Sequence, residues 1–503
     1  MYYRENRDQL SIEDFFLPFG GKLRHDNRWV KMAEIMPWDL IEDIYLKSMS
    51  QEKGRGAYSA RMAYGAIFIK EHEGLTDEQT VTAIAENPYM QYFLGLSSFT
   101  EAPPFDASMM VHFRKRFSVE DLAVINETIC TGKTPDKTRS VDRNDDHYDH
   151  DDTPPSGGGE KERKAGKPNK NTSKKKQKRQ KKNRGKLLMD ATVAPADIKY
   201  PTDIDLLNTC REHLETAIDL LWKELLHEGH KLPYSKKKAR KAYLDLAKSK
   251  RWTKAKCKKA IGEQLRYVAL ASARLKDYEQ QLPEYEKIYP RWLRERLAVI
   301  PTVYEQQKQM HESGTHKCED RIVSLQQPHV RPINRGKRPN PTEFGQKLHL
   351  SVVDGYTYLE QTSWNNFNEG TDLIATTEDY RRKFGCYPEA ILADKIYQTR
   401  SNRAYCAEHG IRLSGPPLGR RKASETDTKV RNQMVRDACE RNAVEGRNGN
   451  AKRRWGLDLI MSKLDETAKT EAALNIIAMN VSHRLALWLL RFLRFFIPEP
   501  IFQ

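Results

Sequence analysis

The sequence lacks the features that mark several large classes of protein. Its seven cysteines are scattered along 503 residues, and no Cys-x2-Cys pair occurs, so neither a zinc ribbon nor a disulfide framework is supported. The first residues contain no apolar signal core. No Gly-x4-Gly-Lys-Ser/Thr loop for nucleotide phosphates is found. We therefore expect a protein of the reducing cytoplasm that is not driven by ATP.

Long uninterrupted apolar runs are also missing. The most apolar stretch, residues 472–497, is broken by polar side chains: Asn475, Asn480, His483, Arg484, Arg491 and Arg494. Such a pattern predicts a packed amphipathic helix and not a membrane span.

Basic residues, in contrast, are abundant. The chain has 86 Lys and Arg against 69 Asp and Glu, a formal net charge of +17. An excess of this size indicates a polyanionic partner, most often DNA or RNA, although a soluble protein from a basic proteome has the same composition. The length predicts two or three domains.

Residues 1–130 have the pattern of short helices. Thr76, followed by Gln79, predicts a capping box, and Asp106 is placed to cap a later helix. Three basic residues close that helix: Arg114, Lys115 and Arg116. A compact helical domain with a basic last helix is typical of helix-turn-helix DNA readers, but many helical domains without a DNA function look the same.

Residues 131–186 differ from the rest of the chain. An acidic segment is followed by a basic tract, in which 14 of the 26 residues 161–186 are Lys or Arg. This composition cannot bury a core, so the sequence predicts a disordered charged linker.

The remaining residues, 187–500, alternate between strand and helix patterns. Strand patterns occur in KLLMDATVAP, RIVSLQQPHVRPI, FGQKLHLSVVDGYTYLEQTSW, EAILADKIY and IRLSGPP, and Asp354-Gly355 marks a hairpin turn. Helices are predicted at about 370–384 and 424–452 and at the C-terminus. Between the first two strands, two apolar stripes at about 203–310, punctuated by prolines such as Pro301, predict an antiparallel helical hairpin.

Without that insertion the order is strand, strand hairpin, helix, strand, strand, helix. It predicts an α/β ribonuclease H-like catalytic core with a helical insertion, preceded by an all-α N-terminal domain.

Two aspartates follow apolar strands in this core. Asp190 ends LLMD, and Asp394 ends ILAD. A carboxylate at the end of a buried strand is costly unless it is paired, and convergent carboxylates are the ligands that Mg²⁺ prefers. An aspartate that caps the next helix gives the same pattern.

A third acid stands in the predicted helix 424–452. Glu445 lies about 40° from Arg441 around the helix, and Lys452 lies about 20° from Arg441. The three residues form either an ordinary surface row of ion pairs or a metal ligand flanked by phosphate-binding cations. Gly446 and Gly449 each cost roughly 1 kcal/mol in a helix interior, which favours close approach of DNA or an irregular helix.

The order Asp190, Asp394 and then Arg441-x3-Glu445-x6-Lys452 resembles the DDE transposases of bacterial insertion sequences, in the group with the Tyr-x2-Arg-x3-Glu-x6-Lys signature. The segments DASMMVHFRKRF, RIVSLQQPHVRPI, FGQKLHLS and ADKIYQTRSNR also resemble that group. One position departs from it: Ala438 stands where the signature has tyrosine.

This resemblance implies that the protein binds the inverted repeats of a mobile element, nicks its ends and transfers the freed strands into target DNA. We assign binding of the ends to the N-terminal helical domain, because its capped helix ends in Arg114, Lys115 and Arg116. It implies two Mg²⁺ ions, replaceable by Mn²⁺, on Asp190, Asp394 and Glu445. Arg441 and Lys452 would hold phosphates, with Lys395 a further candidate.

The same resemblance implies double-stranded DNA as partner, both at the element ends and at the target, and a homodimer in the synaptic complex. It implies a bacterial, nucleoid-associated location with no membrane partner. Two alternatives stay open: a nuclease of the same fold without strand transfer, and a non-catalytic DNA-binding descendant.

Overall fold

The computed structural model describes residues 11–49, 56–135, 182–225, 235–335, 342–415 and 428–496. Most of the predicted charged linker, 131–186, lies outside these ranges. So does the predicted start of a helix at residue 424.

The N-terminal region consists of short helices, as its sequence predicts. They are α1 (Arg28–Ile35), α2 (Trp38–Lys47), α3 (Ala60–Glu73), α4 (Asp77–Glu86), α5 (Pro88–Phe93), α6 (Met109–Arg114) and α7 (Val119–Thr131). The predicted capping box is confirmed: the Gln79 N–H donates to Thr76 Oγ1, and the Thr76 N–H donates to Gln79 Oε1. Ser118 and Asp121 form a second capping box at the start of α7.

Six strands form one mixed sheet. They are β1 (Lys186–Pro195), β2 (Arg331–Asn334), β3 (Thr342–Val353), β4 (Tyr356–Ser363), β5 (Ala390–Leu392) and β6 (Arg412–Leu413). β3 is antiparallel to β1, β2 and β4, while β1, β5 and β6 are parallel to one another. The predicted turn between β3 and β4 is confirmed, since Asp354 and Gly355 have φ of 49° and 82°.

Two strand segments are shorter than their patterns predict. Only the last residues of RIVSLQQPHVRPI join the sheet, because the chain turns just before them: the Val330 N–H donates to the Gln327 carbonyl at 3.1 Å. Of IRLSGPP, β6 contains two residues, and the Ser414 N–H extends the pairing by donating to the Ile391 carbonyl at 2.9 Å; the two prolines lie outside the described residues.

The insertion between β1 and β2 is helical, and its described residues, 196–225 and 235–330, contain five helices in place of the predicted pair. They are α8 (Asp203–Glu224), α9 (Lys236–Ala247), α10 (Lys254–Glu279), α11 (Tyr285–Ile288) and α12 (Arg291–Ser313). The three long helices share one core, in which Leu214, Val268 and Val303 are buried. Pro301 does not end a helix. It lies within α12, where burial of its neighbours Ile300 and Val303 outweighs the lost backbone hydrogen bond.

Helices cover both faces of the sheet. The remaining ones are α13 (Leu373–Phe384), α14 (Arg400–Glu408), α15 (Thr428–Arg454) and α16 (Asp465–Phe496). Leu187 and Ile391 share a core with side chains of α13 and α14. On the opposite face, Leu188 and Leu392 pack against Val444 of α15.

The C-terminal helix α16 belongs to two cores. Leu474 and Ile477 lie in the core of the N-terminal helices, whereas Ile476 and Met479 pack beneath the sheet. Among the described residues, only the stretch Asp465–Arg491 is long and apolar enough to cross a membrane, and half of its most apolar window is buried inside the protein. Burial of this kind agrees with the predicted packed helix.

Candidate active site

The parallel pairing of β1 with β5 places two aspartates side by side. Leu188 is paired with Leu392, and this is the last pair between the two strands. Asp190 and Asp394 each lie two residues further along. Because side chains alternate between the faces of a sheet, both aspartates are on the face that Leu188 and Leu392 present to α15.

The predicted position of Asp190 at the end of its strand is wrong in one respect. β1 continues to Pro195, and Asp190 is paired with Leu350 of β3. The pairing of β1 with β5, however, ends two residues before Asp190. The Asp190 carboxylate therefore lies at the open space beyond the end of β5.

That space is an open cleft of about 610 Å³. Asp190 and Asp394 both line it, together with Glu369, a residue of the short 3-10 helix Glu369–Thr371 that follows β4. Two cations, Arg335 and Lys347, lie on its wall with three asparagines: Asn334, Asn366 and Asn368. The lining is therefore polar and carries both signs of charge.

Charges within the cleft act directly on Asp190. Burial raises the pKa of this carboxyl, and the nearby Glu369 carboxylate raises it further, while Arg441 and Arg335 oppose the shift. Glu369 itself pairs with Lys347, whose Nζ lies 3.0 Å from Glu369 Oε1. Negative charge on Asp190 is thus incompletely balanced by the protein.

Asp394 also has a local structural role. Its Oδ1 accepts a hydrogen bond from the Lys395 N–H at 2.6 Å, so it caps the 3-10 helix Lys395–Tyr397. Asp394 therefore has both of the roles that its sequence position allows. One oxygen of its carboxylate caps the 3-10 helix, and the side chain also lines the cleft.

Helix α15 contacts Asp190 through Asn448, which is not itself among the residues that line the cleft. The Asn448 Nδ2 donates to Asp190 Oδ2 at 3.0 Å, and Asn448 is buried. Glu445 lies on the same helix one turn earlier. It is not among the residues that line the cleft; its side chain is 55% exposed and pairs with Arg441 at 3.0 Å.

The donor set can be compared with the needs of a divalent cation. Among the described residues, no three His, Cys, Asp or Glu side chains are grouped closely enough to hold a metal ion. Mg²⁺, however, usually takes one or two carboxylates and completes its shell with water and substrate phosphates. Two aspartates at the edge of an open polar cleft fit that requirement.

Two family models match the chain on either side of the insertion. The model of the transposase DDE domain matches residues 391–482, which include Asp394, Glu445 and Asn448. A second model, described as a transposase domain (DUF772), matches residues 18–116 of the N-terminal helices. Together they indicate an insertion-sequence transposase.

A curated relative resembles part of this chain. The uncharacterized protein ORF8 in the nfe locus of Rhizobium meliloti is 33% identical over 93 residues. The match covers 18% of this chain and 44% of the relative, so it spans less than half of that protein. No solved structure matches the chain.

Side chains that contact DNA have to reach the surface, and the three basic residues at the end of α6 do so only in part. Arg114 is buried, and its two terminal nitrogens donate to Asp77 at 2.7 and 2.6 Å. Arg116 donates to the Ser48 carbonyl at 2.7 Å. Arg114 therefore braces α6 against α4, contrary to the predicted DNA contact, and Lys115 is the exposed member of the three.

The remaining predicted DNA contacts lie near the cleft but outside its lining. Lys395 is exposed directly after Asp394, Lys452 is half-buried on α15, and Arg441 is held by Glu445.

Two residues near Asp190 were missed from the sequence: Asn448, which donates to its carboxylate, and Glu369, which lines the same cleft. Asn448 stands three residues after Glu445, a spacing that places both on neighbouring faces of a helix. Glu369 follows the third long strand within NNFNEG. The helical spacing could have indicated Asn448, whereas the loop around Glu369 carries no periodic signal.

Proposed function

We propose that this chain is a DNA transposase that binds the inverted repeats of an insertion sequence, cleaves its ends and transfers the freed strands into target DNA. The observation that carries the proposal is the register of β1 and β5, which brings Asp190 and Asp394 to one cleft beneath α15. The two transposase family matches support it from outside the site. We further propose that the sheet and its helices are a ribonuclease H-like core.

Asp190, Asp394 and Glu445 are the residues that would hold two Mg²⁺ ions, for which Mn²⁺ can substitute. Bound there, the ions would activate the attacking oxygen and stabilise the leaving oxygen of a phosphodiester. The cleft residue Glu369 adds negative charge beside Asp190 and favours cations there.

The ion pair between Glu445 and Arg441 is weak enough to break when DNA binds. An exposed ion pair four residues apart on a helix contributes only about 0.3–0.5 kcal/mol. When DNA enters, Arg441 can turn to a phosphate and Glu445 to the cleft at little cost. Lys452, on the same stripe of α15, and Lys395 are the further phosphate contacts in this proposal.

The proposed partners are double-stranded DNA at the element ends and at the target, with a homodimer joining the two ends. We assign recognition of the ends to the N-terminal helices. Because α16 completes their core, binding has to be measured with the full chain.

The experiment uses the DNA that flanks the reading frame. A labelled duplex with the flanking inverted repeat is incubated with the full chain, a target plasmid and Mg²⁺, and we expect nicked ends and joined products, both absent in EDTA. Hydrolysis without joined products would assign the chain to nucleases. Specific binding without cleavage would make it a non-catalytic descendant.

Asn448 is expected to position Asp190 for catalysis. Asn448→Leu keeps the volume but removes a hydrogen bond to a charged group, which is worth roughly 1.5–3 kcal/mol. We expect kcat for strand cleavage to fall about 10- to 100-fold, with KM for the duplex unchanged and Mn²⁺ bound more weakly. Asn442→Leu is the matched control, because Asn442 is exposed and lies about 120° around α15 from Asn448; it should retain wild-type kinetics. An equal loss in both variants would indicate damage to the helix and not lost positioning.

The two glycines of α15 allow a test of where DNA approaches. The helix is regular around them, and an added Cβ would meet nothing within 4 Å at Gly446 and only Arg453 at 3.9 Å at Gly449. Packing inside the protein therefore requires neither glycine. Gly449 lies about 40° from Glu445 around the helix, whereas Gly446 lies about 100° away.

Gly449→Ala and Gly446→Ala should both stabilise the protein, by up to about 1 kcal/mol each. Only Gly449→Ala should slow strand cleavage, by about tenfold or more, because its methyl group keeps the phosphate backbone from the Glu445 stripe. Thermal unfolding and cleavage rates of the two variants are compared side by side. Wild-type cleavage by Gly449→Ala would place the DNA elsewhere.

A further inference from the structure

The helical insertion carries a concentrated positive charge that the proposed active site does not use. Residues 236–259, here called the basic hairpin, comprise α9, the connection to α10 and the first six residues of α10. Twelve of them are Lys or Arg, and only Asp245 is acidic. All twelve cations are exposed to solvent.

The two helices of the basic hairpin pack against each other through a small apolar contact. Leu246 and Ala260 are buried between them, and the Gln264 Nε2 donates to the Ala239 carbonyl at 3.0 Å. On the open side, a groove of about 470 Å³ runs between the helices. Its lining includes Lys238, Lys241, Lys256 and Lys259, with Asp245 and Glu263 as the acids.

This arrangement works against the stability of the isolated helices. The N-terminal end of a helix favours anions, yet α9 begins with three lysines, and the first turns of α9 and α10 contain no acid. Lysines four residues apart, such as Lys237 and Lys241, repel each other. Lys236 is paired with Asp219 at 3.0 Å, but the stability of the two helices gives no reason for the remaining charge, and an external polyanion would relieve the repulsion.

We propose that the basic hairpin is a second DNA-binding surface, which holds the phosphate backbone of a duplex without reading its sequence. The choice of DNA as the polyanion rests on the proposed function. An anionic membrane fits less well, because such surfaces need an apolar face and Trp252 is the single large apolar side chain exposed within residues 236–259. Long lysines on both walls of a groove can neutralise phosphates, but they do not fix a pose against base edges.

The test removes the four groove lysines from the full chain. The variant combines Lys238→Gln, Lys241→Gln, Lys256→Gln and Lys259→Gln. Binding to a labelled duplex of scrambled sequence is followed by fluorescence anisotropy over a range of salt concentrations. Each lost phosphate contact lowers the slope of log K against log salt by about 0.9, so we expect the slope to fall by roughly 2 to 4 and affinity to drop about tenfold or more at low salt.

A matched variant removes four exposed lysines elsewhere: Lys223→Gln, Lys276→Gln, Lys308→Gln and Lys317→Gln. It loses the same charge but should keep most of the wild-type slope. Equal slopes in the two variants would overturn the inference, since net charge alone would then explain binding. If the wild-type chain binds no DNA at all, the proposed function fails instead.

A second measurement needs no variant. Lysines of the wild-type chain are acetylated with and without the duplex, and the modified sites are read by mass spectrometry. Protection of Lys238, Lys241, Lys256 and Lys259, with Lys276 and Lys308 unprotected, supports the proposal. Unchanged acetylation of the groove lysines on saturating DNA overturns it, as does protection by anionic vesicles but not by DNA.

Discussion

Replacing Asp190 or Asp394 with asparagine is expected to lower strand cleavage at least about 10³-fold, which corresponds to about 4 kcal/mol of lost transition-state stabilisation. Asparagine keeps the shape of the side chain but removes the charge that attracts a divalent cation. Both carboxylates line the same cleft, and neither contributes to the helical core of the N-terminal region. Affinity for the inverted repeat should therefore remain close to that of the wild type.

Glu445→Gln should have the same effect on cleavage, although Glu445 lies outside the lining of the cleft. In all three variants, binding of Mn²⁺ is measured by electron paramagnetic resonance. Loss of Mn²⁺ with retained affinity for the inverted repeat indicates a lost cation site and not a lost fold. If Glu445→Gln binds Mn²⁺ and cleaves like the wild type, the third ligand has to be sought at Glu369, the other carboxylate of the cleft.

Two acids outside the proposed metal site, Asp354 and Glu440, serve as controls. Asp354→Asn changes the turn between β3 and β4, where asparagine tolerates the positive φ. Glu440, near the middle of α15, forms an ion pair with Lys186 of β1. Glu440→Gln breaks this exposed contact, which is worth about 1 kcal/mol at most. Both should cleave normally. Cleavage that survives EDTA, or full activity of either aspartate variant, would contradict the two-metal assignment.

The aspartates could be found from the sequence because their signal is local. Each follows an apolar strand, and parallel strands bring equivalent positions together, so the juxtaposition of Asp190 and Asp394 follows once β1 and β5 are adjacent. The turn at Asp354 and the capping box at Thr76 are likewise encoded within four residues. Their geometry depends on backbone preferences and not on distant partners.

Other features depend on long-range packing, which a local pattern does not contain. Arg114 ends a basic helix, but its bond to Asp77 depends on how α6 packs against α4. Pro301 usually interrupts helices, yet α12 continues through it because its neighbours are buried in the core of the insertion. Glu369 lies in the cleft, where it is held by an ion pair with Lys347 of β3, a residue 22 positions earlier in the chain.

Replacing the buried Lys383 with methionine is expected to lower the free energy of unfolding by about 3–5 kcal/mol, because two carboxylates would lose a partner inside the protein. Lys383 Nζ lies 2.6 Å from Asp379 Oδ2 and 3.5 Å from Glu360 Oε1. It also lies 4.2 Å from the centre of the Tyr358 ring, a contact that a methionine side chain can keep. The substitution therefore removes mainly the charge.

The neighbouring Arg381 offers a matched control on the same helix. It is exposed, and its pair with Glu378 spans 3.5 Å, so Arg381→Met should cost at most about 1 kcal/mol. The free energies are measured by urea unfolding followed by circular dichroism. Adding Glu360→Gln to Lys383→Met should restore part of the stability, because it removes one of the two negative charges that Lys383 no longer neutralises. If the double variant is less stable than Lys383→Met, packing and not charge explains the loss.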